Sequence, residues 1–383
     1  MAAKGDMFYV WAADADVLKK GECGGAITAL QQYALKSGMV DAVLAVRKGQ
    51  DIYDAVPVFI TNPDEVAETA GSLHCGTLLL SKLVKQYLDS NKTARLGVTV
   101  KGCDTMGLIE LAKRNAVDMD RLLLLGVNCG GSVSPVLARK MIAEKFEVDP
   151  DVVHKEEIDK GQFIIEYEGG HKGISIDDLE DWGYGRRSNC RRCLYKVPRQ
   201  ADLACGNWGV IGDKAGKATF VEVCSEKGAN LLDAAAKAGA VATGPANPKG
   251  IEIRGKVENA MLKLGNKWRK KNFEALASDL WGTIASETGR CIKCYSCIEN
   301  CPVCFPVAEG LRGDSRMVTS GEVPPNPMFH LRRFAHISDS CINCGQCEEL
   351  CPMEIPLALF SHAIRTEGDS VFEPKLGKAP YTN

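Results

Sequence analysis

The chain has 383 residues, a formal charge of −2 and 45% hydrophobic residues, an ordinary balance for a globular protein of two or three domains. Such a balance offers no polyelectrolyte surface to nucleic acid or an anionic membrane. No N-terminal stretch reads as a signal peptide, and apolar runs such as residues 122–127 are too short to span a bilayer. Its 17 cysteines, in a long chain without a leader, read as metal ligands rather than disulfides, which places the protein in the cytoplasm.

In chain order, residues 26–37 have amphipathic helical spacing and stop at Gly38, a C-cap residue. Residues 40–46 form an apolar run that predicts a strand. Asn62-Pro63 is a helix start, with the amide as cap and proline at the first helical position. Residues 76–88 predict a helix, 96–100 a buried strand, 107–114 a helix, 122–127 a second buried strand, and 135–145 a helix. This alternation argues for an α/β layer with a mixed, largely parallel sheet.

From about residue 149 the pattern changes to alternating polar and apolar positions, clearest at 163–167, and reads as a second segment of the same unit. Residues 220–223 predict a strand and 231–238 a helix capped by Asn230 and ended by Gly239. Residues 257–277 are helical in spacing and rich in lysine and arginine, as in a solvated bridging helix. The expected division is 1–150, 151–285, a cysteine-rich module at 286–370 and a flexible tail at 371–383.

The sharpest signal is a pair of runs, Cys291-x-x-Cys294-x-x-Cys297-x-x-x-Cys301-Pro302 and Cys341-x-x-Cys344-x-x-Cys347-x-x-x-Cys351-Pro352. This is the bacterial ferredoxin spacing for two [4Fe–4S] clusters. Two-residue gaps let three thiolates wrap one cube, and the fourth cysteine of such runs ligates the other cube. The expected sets are therefore Cys291, Cys294, Cys297 with Cys351, and Cys341, Cys344, Cys347 with Cys301. Zinc, the usual rival for Cys-x-x-Cys pairs, is poorly served by three such cysteines in a row. Cys304, just outside the motif, reads as a packed thiol. The linker between the runs is long for a compact ferredoxin; it resembles the cluster modules of heterodisulfide reductase small subunits and succinate dehydrogenase iron–sulfur subunits.

Five segments of the first part occur in a telling order: Gly21-Glu22-Cys23-Gly24-Gly25-Ala26-Ile27-Thr28-Ala29-Leu30, Val100-Lys101-Gly102-Cys103-Asp104, Gly126-Val127-Asn128-Cys129-Gly130-Gly131, Cys190-Arg191-Arg192-Cys193, and Ala201-Asp202-Leu203-Ala204-Cys205-Gly206-Asn207-Trp208-Gly209. Together they resemble the beta-subunit family of coenzyme F420-reducing hydrogenase and F420-dependent formate dehydrogenase. The resemblance implies a flavin/F420-binding α/β domain carrying non-covalent FAD, with a further [4Fe–4S] cluster beside it. It also implies hydride exchange with coenzyme F420, an 8-hydroxy-5-deazaflavin, as substrate. The C-terminal helical, ferredoxin-like module with two [4Fe–4S] clusters points to the formate dehydrogenase branch, whose partner is a molybdopterin-containing alpha subunit that oxidises formate. An electron-transfer adaptor, or an F420H2 dehydrogenase input subunit feeding another complex such as heterodisulfide reductase, is the alternative.

The residues add detail. Gly24-Gly25 before a helix allows close backbone approach, and a helix N-terminus favours an anion. Lys101 follows a strand, where ligands of open α/β sheets sit, and is read as a partner of a flavin phosphate or ring; a surface lysine is the plainer reading. Ser72 is a phosphate candidate, and Thr28 and Asp104 complete the cofactor set. Cys103 and Cys129, in turns after adjacent strands, with Cys190 and Cys193, are the expected ligands of the third cluster; Cys75 or Cys205 are the competing members. Arg186, Arg187, Arg191 and Arg192 leave three uses open: stabilising an anionic cluster, holding the acidic tail of the deazaflavin, or forming a solvated basic loop. Hydride transfer needs no side-chain acid or base, so no catalytic residue is named.

Overall fold

The computed structural model describes residues 1–159, 161–312 and 321–372. Its strands are β1 (Met7–Ala12), β2 (Ala42–Lys48), β3 (Ala55–Ile60), β4 (Leu96–Val100), β5 (Leu122–Val127), β6 (Val153–Asp159), β7 (Gln162–Tyr167), β8 (Gly170–Ser175), β9 (Leu203–Gly206), β10 (Thr219–Val223) and β11 (Val241–Pro245). Eight form one sheet in the order β11-β1-β10-β9-β5-β4-β2-β3, while β6-β7-β8 form a separate antiparallel sheet. The four central strands β9, β5, β4 and β2 are parallel, and antiparallel ladders flank them, so the large sheet is mixed. Strands from both parts of the first 285 residues share it.

Parallel strands are buried on both faces, which is why β5 reads as an unbroken apolar run and β4 as one broken only at Thr99. Leu123 and Leu125 of β5 pack with Val43 and Leu203 against helices Ala26–Lys36 and Glu226–Lys237. Leu122 and Leu124 point the other way, packing with Leu44, Leu96 and Val98 against helices Ser81–Ser90 and Gly102–Ala112. The result is a three-layer sandwich whose parallel strands all end on one edge.

Several boundaries depart from the sequence reading. Residues 76–80 are not helical, and the helix begins at Ser81, because tertiary bonds hold the preceding loop extended. The Glu156 carboxylate accepts from His74 N and Cys75 N, at 2.5 and 2.9 Å, and the Cys75 thiol lies 2.6 Å from its other oxygen. The helix expected from residue 107 starts at Gly102, where Asp104 accepts the Lys101 N–H at 2.9 Å. Cys103 therefore lies in a first helical turn and not in a loop. The cap of the helix Glu226–Lys237 is Ser225 and not Asn230; Ser225 Oγ accepts from Gly228 N at 3.1 Å. The long basic helix starts at Asn247-Pro248 and runs Pro248–Ala277.

The C-terminal domain is helical. Leu276, Ile284, Ile298, Phe329, Phe334 and Phe360 form its core with buried cysteines. Its last helix, Leu357–Phe372, passes Gly368; the rest of the expected tail, 373–383, lies outside the described residues. Among the described residues no helix is long and apolar enough to cross a membrane.

The last helix docks on Pro248–Ala277 through an edge-on contact of Phe273 with His362, ring centres 5.3 Å apart, and a 3.0 Å bond from Arg269 to Thr366. Burial, reinforced by Arg269 and Arg192, pushes His362 well below its ordinary value, and its Nδ1 is buried without a partner. The folded imidazole stays neutral while the unfolded one binds a proton below its ordinary value of 6.5. Stability is thus complete above that pH and falls beneath it, by at most about 1.4 kcal/mol per pH unit. Denaturant titrations from pH 7 to 5 should show this slope, and H362N should remove it.

Candidate functional site

Each C-terminal cysteine run turns on two residues of positive φ, Lys293 and Tyr295 in the first and Asn343 and Gly345 in the second, before a short helical turn. The turns aim backbone N–H groups at sulfur: Lys293 N lies 3.3 Å from Cys291 Sγ, and Asn343 and Gln346 serve Cys341 and Cys344 alike. Cys291, Cys294, Cys297 and Cys351 line one cavity with Phe329 and His330. Cys301, Cys341, Cys344 and Cys347 line a second with Arg333. The fourth cysteine of each run thus lines the cavity built by the other run. Burial pushes the Cys297 and Cys341 thiols up to about 12. A thiolate there needs a cation, and four thiols lining one cavity, at the ferredoxin spacing, fit an iron–sulfur cube. Cys304 is fully buried and hydrogen-bonded to Cys301, which raises Cys301 and lowers Cys304.

A second group lies at the carboxyl edge of the sheet. Cys103 opens the helix after β4, Cys129 follows β5, and Cys190 and Cys193 flank the end of the short helix Ser188–Arg191. Glycines permit the approach. A β-carbon on Gly102 would collide with the Tyr195 carbonyl, and one on Gly131 would sit 3.0 Å from Cys190 Cβ. Cys129 N donates to Lys196 O at 2.9 Å, and Tyr195 N lies 3.3 Å from Cys193 Sγ. The four thiols feel one another: Cys103 couples to Cys129 and Cys193, and Cys129 to Cys190 and Cys193. Burial works against a thiolate at Cys190, but Arg187, the Ser132 N–H and Lys196 outweigh it and hold that thiol below its ordinary value. The competing cysteines sit elsewhere: Cys75 on Glu156, and Cys205 in the core beside Arg254 and Cys224.

The arginine-rich loop is not solvated. Arg186, Arg187 and Arg192 are buried; Arg186 is paired with Glu180 at 2.5 Å and Arg187 with Glu349 at 3.0 Å. This loop is also the junction with the second C-terminal cavity. Asn189 Nδ2 donates to Asn343 O at 3.2 Å, and Asn343 Nδ2 donates to Asn189 O at 3.0 Å. Ser188 bonds Glu348, and Gln346 reaches the Thr77 carbonyl.

The expected cofactor residues are dispersed along the same edge. Gly24 and Gly25 have positive φ, and their missing side chains make room for the chain's own backbone at Lys217 and Val17. Thr28 is buried in the helix they precede, which starts without a side-chain cap and lies over β4 through a 2.6 Å bond from Gln31 to Thr99. Asp104 is fully buried and accepts from Leu80 N at 2.7 Å, while Lys101 Nζ lies 2.8 Å from it. Burial opposes the charge on Lys101, yet Asp104 and the Cys103 and Cys129 thiols hold it above its ordinary value. Ser72 is exposed. Two groups had no signal in the sequence: Asn128, whose Oδ1 is buried and unpaired at the end of β5, and the reciprocal pair Asn189–Asn343. A double-mutant cycle with N189A and N343A should return a coupling of about 1–2 kcal/mol; additive effects would show that the pair does not lock the junction.

Comparison with known proteins follows this layout. Residues 7–85 match the family that covers the N-terminal part of the beta subunits of coenzyme F420 hydrogenase/dehydrogenase, and residues 93–249 match the family that covers their C-terminal part. Residues 287–355 match a 4Fe-4S dicluster domain. The chain is 51% identical over 366 residues to the F420-dependent formate dehydrogenase 1 subunit beta of Methanococcus maripaludis, covering 94% of this chain and 92% of that protein. It is 48% identical over 360 residues to the F420-dependent formate dehydrogenase subunit beta of Methanocaldococcus jannaschii, covering 93% and 92%. In fold it resembles a chain of the F420-reducing [NiFe] hydrogenase complex from Methanosarcina barkeri, with a TM-score of 0.60 at 21% identity, over 70% of this chain and 93% of that one.

Proposed function

Because the chain belongs to the coenzyme F420 hydrogenase/dehydrogenase beta-subunit family, an oxidoreductase family, we propose that it is the electron-carrying subunit of an F420-dependent formate dehydrogenase, in which formate is oxidised on a molybdopterin-containing alpha subunit and coenzyme F420 exchanges hydride on this chain. When bound, [4Fe–4S] clusters supply one-electron carriage and FAD supplies the exchange between single electrons and the hydride of a deazaflavin, in either direction. The observation that carries this reading is the series of three cysteine groups: two in the C-terminal cavities and a third at the sheet edge, interlocked with the second through Asn189 and Asn343.

Each group has a part. Cys291, Cys294, Cys297 and Cys351 would hold an outer cluster, which exposed Cys294 leaves open to solvent. Cys301, Cys341, Cys344 and Cys347 would hold an inner one, and Cys103, Cys129, Cys190 and Cys193 a third. Arg187 and Lys196 favour the Cys190 thiolate, which suits a ligand. FAD is assigned to the same edge. There Asn128 leaves a buried acceptor unpaired, Lys101 and Asp104 sit at the end of β4, and the helix of Thr28 starts uncapped beside Gly24 and Gly25. Ser72, exposed on the loop above, remains in the set as a phosphate contact. Free cysteines throughout suit the cytoplasm.

Anaerobic metal and flavin analysis should find about twelve irons and about one FAD per chain; about eight irons would remove the third cluster. C190A should lose one cluster and slow F420 reduction, and unchanged activity would refute that ligand. Copurification with a molybdopterin protein supports the formate dehydrogenase reading; copurification with a membrane complex in its place would overturn it.

A further inference from the structure

The helix Met328–His336, in the linker between the two cysteine runs, carries His330 and Arg333 one turn apart on one face. His330 is 2% exposed and lines the outer cavity; Arg333 is 0% exposed and lines the inner one. Arg333 Nη2 donates to the Cys297 carbonyl at 3.4 Å, its Nε and Nη1 are buried with no oxygen or nitrogen partner, and the guanidinium hydrogen-bonds the Cys304 and Cys347 thiols. Both ring nitrogens of His330 are likewise unpaired. Burial opposes the Arg333 charge, and the groups that offset this are thiols, those of Cys297, Cys347, Cys304 and Cys301.

A guanidinium does not titrate in any physiological range, so its charge is permanent. Buried with unused N–H groups, it is costly until an anion meets it. An all-thiolate [4Fe–4S] cube is anionic, and both a nearby cation and hydrogen bonds to its sulfurs raise its reduction potential. The inner cavity is lined by this guanidinium; the outer is lined by His330, Phe329 and Lys293, whose ammonium lies over the Phe329 ring, 5.7 Å from its centre.

We propose that Arg333 is a potential-setting residue: it raises the inner cluster above the outer one, so that an electron shared between them resides on the inner cluster. The step it biases is a one-electron exchange in which the outer cluster is oxidised and the inner one reduced, with no bond or proton moved. This rests on both cavities holding clusters, as in the function proposed above.

The test is a redox titration of the intact, anaerobically purified complex, followed by electron paramagnetic resonance. A soluble dysprosium chelate speeds relaxation of the exposed outer cluster and so separates the two signals. In the wild type the inner signal should titrate at the higher potential. In R333Q the partition between the clusters should move at least tenfold toward the outer one, about 59 mV for one electron. R333K, which restores an ammonium but not the guanidinium fork, should shift less than R333Q. An inner potential at or below the outer in the wild type overturns the assignment. So does R333Q with full iron and unmoved potentials, or R333K shifted as far as R333Q. If R333Q binds less iron, the wild-type order and R333K decide. Iron content and the presence of two signals report on the clusters themselves, separately from the potentials.

Discussion

A thiol buried without a counter-charge does not ionise, and the C-terminal domain is organised around that constraint. Cys297 and Cys341 are pushed up to about 12, and Cys344 well above its ordinary value, chiefly by burial. Ligation needs the thiolate, so cations must arrive with the ligand set or be built into the fold. The chain does some of this locally. It accepts left-handed backbone at Lys293, Tyr295 and Asn343, at a cost of about 1–2 kcal/mol each. In return, each run turns its own N–H groups onto its own sulfurs. The domain core is then part aliphatic and part thiol, with Ile298, Phe329 and Phe360 packed among the cysteines.

The sheet solves a related problem by register. In the parallel ladder Val100 of β4 lies opposite Gly126 of β5. Cys103 and Cys129 each lie three residues beyond that pair, so two cysteines distant in sequence leave the sheet at the same level. Gly102 and Gly131 then let the Cys190 loop close over them, and Asn189 ties that loop to the cluster domain. One edge of one sheet thereby fixes the third cysteine group and its distance from the second.

The sequence made legible what depends on local spacing. β4 and β5 announced themselves because strands buried on both faces are almost wholly apolar, Thr99 being the one polar residue, and the cysteine runs because their ligand geometry is short-range. What depends on contacts across the chain was hidden. Residues 76–80 have helical spacing, but Glu156, eighty residues away, holds the loop before them extended. The helix at Gly102 begins with polar residues that an apolar pattern passes over, and only the bond from Lys101 to Asp104 marks its start. The basic loop around Cys190 left its use open in sequence, since one of its carboxylate partners, Glu349, comes from the cluster domain. His330 and Arg333 gain meaning only once the two cavities stand on either side of their helix.

Arginine in place of lysine at these positions has a physical reason. Arg187 anchors Nε on Glu349 and leaves Nη2 unpaired. Arg192 anchors Nη1 on Asn272 at 3.3 Å and leaves Nε and Nη2 unpaired. Arg333 anchors Nη2 on Cys297 O, leaves Nε and Nη1 without an oxygen or nitrogen partner, and hydrogen-bonds the Cys304 and Cys347 thiols. In each case one part of a rigid fork is spent on the fold, and the remainder is held among cysteines: Cys190 and Cys344 for Arg187, Cys190 and Cys341 for Arg192, Cys297 and Cys347 for Arg333. A lysine ammonium is a single point that either pairs with the fold or serves the sulfur, and burial lowers its pKa toward neutrality. The planar guanidinium does both at once and keeps its charge. Buried N–H groups that would count as defects in an ordinary core are here concentrated beside thiols, where an anionic cluster, once bound, would give each of them a partner.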